Sequence, residues 1–304
     1  MREGRAPSRR DRAAAGAARA LLGAIDRLGR ERAFAAAGPI GRAYARVGGP
    51  RTADGRAHLR LAFPGWRESE RRAVLERSLA NLARSFVEVC TLDSLSPEAL
   101  RGLVDVEGLE HFESARRVLP TGGVIALTAH LGNWEILAPV MAAHGIPIAV
   151  VHRARENPLV EELVGRLRAV GGVELLPRGS AARGTLRALR AGRVVAMPLD
   201  QNAPRREGVF VPFFGRLAST RDGPARVAMK TRAPVLPVFI ERIGETMRHR
   251  VRALPALELV PEGDDPDAAV LENVARMTAA IETAIRRAPD QWIWTHRRWK
   301  TRPR

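Results

Sequence analysis

The sequence predicts an α/β fold with a mostly parallel central sheet flanked by helices, preceded by an N-terminal helical region. From about residue 103, short runs rich in valine and isoleucine alternate with segments of helical periodicity. This alternation is typical of strands joined by crossover helices. The residues before this point show only helical spacing. The chain has 304 residues, which is enough for one large domain with a helical extension.

The elements of the α/β part follow from hydrophobic periodicity. Buried strands are predicted at the apolar runs 122–128, 147–151, 193–199 and 235–240. Helices are predicted at 133–144, 157–170, 180–191, 219–232 and 266–287. An exposed acidic turn at 261–267 precedes the last helix.

The N-terminal region is predicted to contain a long helix over 67–92 and a shorter one over 13–32. The long helix carries a core-facing stripe at three- and four-residue spacing, formed by Leu75, Leu79, Leu82, Phe86 and Cys90. The short helix is amphipathic with a basic face, so it can lie in a membrane interface or pack on the domain as an ordinary helix. Pro39 and the pair Gly48–Gly49 are expected to break the chain between the two helices.

Three parts are therefore predicted: a disordered basic tail over 1–12, a helical, membrane-proximal region over 13–100, and an α/β domain over 101–304. No stretch of about 18 uncharged apolar residues predicts a membrane-spanning helix. The N-terminus also lacks the apolar core and cleavage site of a signal peptide.

The composition is strongly basic, with a formal net charge of +17. Two of the 50 basic residues are lysines, which leaves 48 arginines. A charge of this size attracts nucleic acid, anionic lipid headgroups or an acidic protein, and it does not choose among them. The single cysteine, Cys90, excludes an internal disulfide and a cysteine-based zinc site. The motifs of P-loop nucleotide hydrolysis, dinucleotide binding, zinc proteolysis and serine-elbow hydrolysis are absent from the sequence.

The candidate catalytic motif follows the predicted strand 122–128, where His130 and Glu135 occur five residues apart. In one helix this spacing would turn the two side chains roughly 140° apart, so they pair only if His130 precedes the helix. Asn133 is a suitable N-cap for that arrangement. A carboxylate beside an imidazole fixes its tautomer, and the imidazole can then activate a hydroxyl as a general base. The alternative is a buried histidine bonded to backbone, which is the commoner role of a histidine beside an apolar strand.

The motif His-Leu-Gly-Asn-Trp-Glu at 130–135 resembles the His-x4-Asp/Glu signature of glycerolipid acyltransferases. More narrowly it resembles the late acyltransferases of lipid A biosynthesis, the lauroyl and myristoyl transferases. Further blocks resemble that family in the expected order, namely 198–201, 208–215, Thr220, 233–237 and 290–303. The resemblance runs from about residue 40 to the C-terminus.

The resemblance implies an enzyme that moves a fatty-acyl group from an acyl carrier protein thioester to a hydroxyl of a lipid A precursor. It implies no metal and no cofactor, and it implies catalysis by His130 and Glu135 at the cytoplasmic face of the bacterial inner membrane. An acidic carrier protein would suit the basic surface. Members of the family usually begin with a hydrophobic anchor, whereas arginines interrupt this N-terminus, so peripheral binding to the membrane is expected.

Acyl transfer also requires groups that stabilise the oxyanion or hold the substrate. The candidates are Gly132, Asn133, Arg153, Arg178, Asp200, Phe213, Phe214 and Gly215. Backbone N–H groups near Gly132 could bind the oxyanion, and Arg153 directly follows the strand 147–151. Asp200 closes a strand and could hold an arginine or a loop, or serve only as a turn residue.

The C-terminal Trp292, Trp294 and Trp299 alternate with basic residues. This pattern suits a lipid interface or single-stranded nucleic acid, and it equally suits tryptophans that pack in the core. Three other functions compete with the first one. They are an acyl-CoA-dependent phosphatidylinositol mannoside or other glycolipid acyltransferase, a basic nucleic-acid-binding protein, and a catalytically silent membrane scaffold. A nucleic-acid-binding protein would explain the charge, but it would not explain a strand that ends in His-x4-Glu.

Overall fold

The computed structural model describes residues 9–152, 172–177 and 181–303. The predicted helix 157–170 and the candidate residues Arg153 and Arg178 lie outside these ranges.

The described chain consists of helices and strands in the following order. The helices are α1 (Arg9–Leu28), α2 (Arg30–Val47), α3 (Pro50–Ala62), α4 (Glu68–Cys90), α5 (Pro97–Gly102), α6 (Leu109–Arg116), α7 (Trp134–Ala143), α8 (Ala181–Arg190), α9 (Gly223–Thr231) and α10 (Pro266–Arg287). The strands are β1 (Val104–Glu107), β2 (Val124–Thr128), β3 (Ile148–His152), β4 (Glu174–Pro177), β5 (Val194–Pro198), β6 (Gly208–Phe213), β7 (Arg216–Arg221), β8 (Val235–Arg242) and β9 (His249–Ala253).

Within the described residues, seven strands form one sheet in the order β1-β9-β8-β2-β5-β3-β4. Every neighbouring pair is parallel except β8 and β9. All five residues of β2 are buried, as expected for a central parallel strand that is covered on both faces. The predicted α/β fold with a mostly parallel sheet is confirmed, and so are the four predicted strands.

The helix predicted over 219–232 begins at Gly223 in the structure, four residues later than predicted. Residues 216–221 form β7, which pairs antiparallel with β6, and α9 starts only at Gly223. The turn between β6 and β7 has positive φ at Phe214 (51°) and Gly215 (72°), the conformation of a tight hairpin turn. Helical periodicity over the segment could not reveal this pairing, which depends on a partner strand.

The N-terminal helices are longer than predicted. Residues 9–12 were predicted to belong to the disordered tail, but they form the start of α1. The single helix predicted over 13–32 is divided at Gly29 into α1 and α2. Pro39 was expected to break the chain, but it lies inside α2. The expected break at Gly48–Gly49 is confirmed, because both residues have positive φ between α2 and α3.

The long helix α4 matches its prediction, and α2 packs closely on it. A Cβ atom on Gly41 would collide with the Leu79 carbonyl oxygen, so glycine permits this close approach. Leu75 and Leu79 are buried as expected. Phe86, predicted to face the core, is instead 48% exposed.

The C-terminal tryptophans belong to the core. Trp292 and Trp294 are 1% and 0% exposed, and their rings pack edge to face at a centroid distance of 4.6 Å. Ser78 in α4 donates a hydrogen bond to the Trp292 carbonyl oxygen at 2.6 Å, which fastens the N-terminal helices to this segment. Of the alternatives for these tryptophans, core packing is the one that the structure supports. In the described part of the chain, no helix is both long and apolar enough to cross a bilayer.

Candidate active site

His130 lies in the loop between the end of β2 and the start of α7. It therefore precedes the helix, as the spacing to Glu135 requires. Its side chain is 19% exposed, so one part of the ring reaches solvent while the other is covered. The carboxyl ends of parallel strands are the usual location of functional sites in α/β proteins.

The carboxylate that orients the imidazole is Asp200. Its Oδ1 lies 2.8 Å from His130 Nδ1, and its Oδ2 accepts a hydrogen bond of 2.9 Å from the His130 backbone N–H. Asp200 follows β5, which neighbours β2 in the sheet, so the two strand ends present these residues to each other. Asp200 was predicted to hold an arginine or a loop, and it was a candidate for oxyanion or substrate binding. It contacts the His130 loop and the imidazole, and a contact with substrate stays a prediction.

Asp200 is 1% exposed, and its neighbours stabilise the ionised form of its side chain. Burial alone would raise the pKa of Asp200, but the charge and hydrogen bonds of His130, and a 2.8 Å hydrogen bond from Trp292 Nε1, bring it well below its usual value. An ionised Asp200 accepts the proton of Nδ1, which leaves the lone pair of Nε2 for base chemistry.

Gln201, the residue after Asp200, contacts the other ring nitrogen. Its Nε2 lies 3.1 Å from His130 Nε2, within hydrogen-bond distance. The same amide nitrogen lies 3.5 Å from His130 Nδ1, so the carboxamide lies over the face of the imidazole ring. Sequence reasoning placed Gln201 in a family block but did not select it as a site residue. Its position directly after Asp200 was the signal that could have identified it.

Glu135 lies in the first turn of α7, as predicted, and is half-buried. It lines the same cavity as His130. Asp200 occupies the position on Nδ1 that the sequence assigned to Glu135. The role of Glu135 in the reaction remains a prediction.

The cavity beside His130 has a volume of about 130 Å³. Trp134 lines it together with His130 and Glu135, and the two rings of His130 and Trp134 lie 5.1 Å apart. The remaining wall is mainly apolar and includes Leu137, Ala138, Val150, Val151, Leu175 and Ala196. An apolar cavity with a base at its edge suits a substrate that combines a hydrophobic chain with a reactive polar group.

Asn133 is buried, and its side chain contacts helix α4. It is 1% exposed, and it makes no side-chain cap on α7 although it occupies the N-cap position. Its Nδ2 donates a hydrogen bond of 2.8 Å to Glu88 Oε2 in α4. The predicted N-cap position of Asn133 is confirmed, but its side chain makes no cap hydrogen bond, and its role in substrate binding stays a prediction.

Glu88 is the centre of a buried charged cluster beneath the His130 loop. Arg242 donates to both of its oxygens, at 2.8 and 2.5 Å, and His249 Nε2 lies 2.9 Å from Oε1. Burial alone would raise the pKa of Glu88, but the hydrogen bonds and charges of His249 and Arg242 lower it to about 2. The carboxylate thus stays ionised and holds Asn133 through a charge-assisted hydrogen bond.

Gly132 permits the backbone conformation of the His130 loop. Its φ is 59°, and a Cβ atom would collide with the Ile240 carbonyl oxygen. Its N–H donates a 3.0 Å hydrogen bond to the Gln291 carbonyl oxygen, and the adjacent Leu131 forms an antiparallel bridge with Trp292. The N–H of Gly132 is thus engaged within the protein, and the prediction that it binds an oxyanion does not agree with this contact.

The C-terminal segment also holds the loop that carries Asp200. His296 Nε2 accepts a 3.0 Å hydrogen bond from the Asn202 backbone N–H, and Arg298 Nη1 donates to the Gln201 carbonyl oxygen at 3.2 Å. Burial lowers the pKa of His296 to about 4, so the ring is neutral and able to accept. Residues 291–298 therefore hold both the His130 loop and the Asp200 loop in place.

The Phe-Phe-Gly block supports the site from the core. Phe213 and Phe214 are 0% and 5% exposed, and the Phe213 ring packs edge to face on Trp292. Gly215 belongs to the hairpin turn. Phe213 and Phe214 therefore pack in the core, and their contact with substrate stays a prediction. Among the described residues, no group of three histidine, cysteine or carboxylate side chains is placed to hold a metal ion.

Comparison with known proteins connects this site to a family. Residues 12–301 match the family described as bacterial lipid A biosynthesis acyltransferase. The chain is 27% identical to a "Lipid A biosynthesis acyltransferase" of Haemophilus influenzae over 81% of this chain and 74% of that protein. It is 28% identical to the "Lipid A biosynthesis palmitoleoyltransferase" of Escherichia coli K12 over 82% and 78%, and 30% identical to its "Lipid A biosynthesis lauroyltransferase" over 81% and 78%. With an oriented histidine inside the matched region, the chain belongs to the bacterial lipid A biosynthesis acyltransferase family and is an acyltransferase.

Proposed function

We propose that this acyltransferase moves a fatty-acyl chain from an acyl carrier protein thioester to a hydroxyl of a lipid A precursor, while bound peripherally at the cytoplasmic face of the inner membrane. The observation that carries the proposal is the imidazole of His130, oriented by Asp200 at the edge of an apolar cavity. The family supplies the acceptor class, since its described members act in lipid A biosynthesis.

In the proposed reaction the protein supplies a base, His130, and an apolar cavity for the acyl chain. His130 Nε2 takes the proton of the acceptor hydroxyl, and that oxygen attacks the thioester carbonyl carbon. The tetrahedral intermediate collapses with cleavage of the carbon–sulfur bond, and the departing thiolate receives the proton from the imidazolium. Asp200 stabilises the positive charge that His130 carries between these steps.

The direct test is acyl transfer by the purified protein, with a fatty-acyl carrier protein as donor and a lipid A precursor as acceptor. Mass spectrometry should show the mass increment of one acyl chain on the lipid. A single ester would support the proposed reaction, and an unmodified lipid with hydrolysed donor would reject the acceptor class.

The carrier protein is expected to be the better donor by at least about tenfold in kcat/KM, or about 1.4 kcal/mol of transition-state preference. The basic chain attracts an acidic carrier protein and speeds their association. The measurement compares one acyl chain on the carrier protein and on coenzyme A at a single ionic strength. Equal efficiencies, or a preference for acyl-CoA, would reject this donor and favour an acyl-CoA-dependent glycolipid acyltransferase such as one acting on phosphatidylinositol mannosides.

The Glu88–Asn133 contact is expected to affect turnover through the position of His130. Asn133→Leu removes the donor and leaves a buried carboxylate with one hydrogen bond fewer, which costs roughly 1–3 kcal/mol of stability. We expect kcat to fall about 10- to 100-fold with a smaller change in KM, because misplacement of a catalytic group affects the transition state most. Thermal unfolding and steady-state kinetics of the same preparation provide the measurement.

Asn133→Asp is the informative companion variant. It keeps the shape of the side chain but places two carboxylates against each other, so we expect a larger loss of stability than in Asn133→Leu. Wild-type kcat in a folded Asn133→Leu variant would show that the hydrogen bond to Glu88 does not position the His130 loop.

A further inference from the structure

Helix α2 is apolar on two faces, although only one of them is covered. The covered face packs on α4 and on the cluster around Glu88 and consists of Ala33, Phe34, Ala37, Gly38, Gly41 and Ala45. The opposite face of a helix on a globular protein is normally polar. Here that face is formed by Ala36, Pro39, Ile40, Ala43, Tyr44 and Val47, all of which are exposed.

The exposed residues form a continuous stripe, because they recur at one-, three- and four-residue spacing over residues 36–47 of the helix. Its large members are Ile40, Tyr44 and Val47, with 64%, 49% and 87% of their surface exposed. Two further exposed leucines, Leu21 and Leu28, lie on the preceding helix α1. Contiguous exposed apolar surface of this kind marks a site of interaction with a protein or a membrane.

The charge around the stripe favours an anionic partner. Residues 9–51 contain ten arginines and three acidic residues. Arg27, Arg32 and Arg51 are exposed at the ends of the three helices. A second copy of the chain would bring the same positive charges together, which is unfavourable. A surface of anionic lipid headgroups over an apolar interior complements both the arginines and the stripe.

We propose that the stripe Ala36, Pro39, Ile40, Ala43, Tyr44 and Val47 is the surface by which this protein docks on an anionic lipid bilayer. The large apolar side chains enter the interface, and the neighbouring arginines contact the headgroups. The sequence predicts that the helix 13–32 lies in a membrane interface or packs on the domain, and the stripe on α2 is a surface that this prediction did not include.

Side-chain contacts link helix α2 to the charged cluster beneath the active site. Arg42 of α2 forms an ion pair with Glu245, in the loop that follows β8. On the covered face, the Arg242 guanidinium lies 5.0 Å from the centre of the Phe34 ring, and Arg242 holds Glu88 in the cluster beneath the His130 loop. This inference rests on the proposed function in one respect, since a lipid acceptor has to be reached from the bilayer.

The test measures binding of the full-length protein to sedimented vesicles in the absence of any substrate. The variant is Ile40→Asp combined with Val47→Asp, and the matched control is Val118→Asp, an apolar residue that is 59% exposed on the α/β part. On vesicles of phosphatidylglycerol and phosphatidylcholine, we expect the double variant to bind at least about tenfold more weakly than wild type. The control should bind as wild type does.

A second comparison uses vesicles of phosphatidylcholine alone, to which the wild-type protein should bind several-fold more weakly because the arginines lose their anionic partners. Unchanged binding of a folded double variant would overturn the proposal. Conversion of a wild-type dimer to a monomer by the same substitutions, detected by light scattering, would overturn it as well, because the stripe would then cover a second copy. Vesicle binding is measured without acyl transfer, so failure of the proposed enzymatic function would not be mistaken for failure of this surface.

Discussion

His130→Ala is expected to lower kcat for acyl transfer by about 10²–10⁴, the usual contribution of general-base assistance. Alanine removes the nitrogen that takes the hydroxyl proton, while the cavity for the acyl chain remains. We therefore expect KM to change little. Turnover is measured as acylated lipid formed per enzyme at saturating donor and acceptor, and folding is followed by thermal unfolding.

His130→Gln provides the control for the space that alanine opens. Its side chain fills part of the imidazole volume and can accept a hydrogen bond, but it cannot carry a proton from the hydroxyl to the thiolate at neutral pH. Both variants should therefore be impaired to a similar extent. Turnover at the wild-type level in either folded variant would end the mechanism in which His130 is the base.

The location of the site could be predicted from the sequence, but its charge partner could not. The strand before His130 is a continuous apolar run, so its end and the following loop were predictable from residues 122–135. Asp200 lies 70 residues further along the chain. It reaches His130 because β5 pairs directly with β2, a neighbour relation that periodicity does not encode. The sequence predicts Glu135 as the partner, because it lies five residues from His130 and completes the pattern that resembles His-x4-Asp/Glu.

The contacts of Asn133 and Trp292 could not be predicted from the sequence either, because their partners are distant along the chain. Asn133 has the residue type and the position of an N-cap, yet its amide Nδ2 donates to the buried carboxylate of Glu88 on α4, and its side chain accepts no hydrogen bond from the helix end. For Trp292 the sequence left an interfacial role and core packing open, and the hydrogen bond from its indole N–H to Asp200 inside the core decides between them. In both cases the side-chain contact depends on a tertiary partner that local sequence does not specify.

Asp200→Asn is expected to lower kcat by at least about 10³, more than Glu135→Gln does. The Oδ atom of asparagine can still accept from the His130 backbone N–H and from Trp292 Nε1, so the loop should keep its position. The asparagine NH₂ group then faces His130 Nδ1 and donates to it. The imidazole proton has to move to Nε2, and the base loses the lone pair with which it would attract the hydroxyl proton.

The comparison with Glu135→Gln separates the two carboxylates. If Asp200 orients the base, Asp200→Asn in the His130→Ala background should add little further loss, because the two residues act as one unit. Glu135→Gln should remain closer to additive in that background. A larger loss in Glu135→Gln than in Asp200→Asn, with both proteins folded, would return the orienting role to Glu135. Asp200 would then be a structural carboxylate that holds the loop through the His130 N–H and the Trp292 indole.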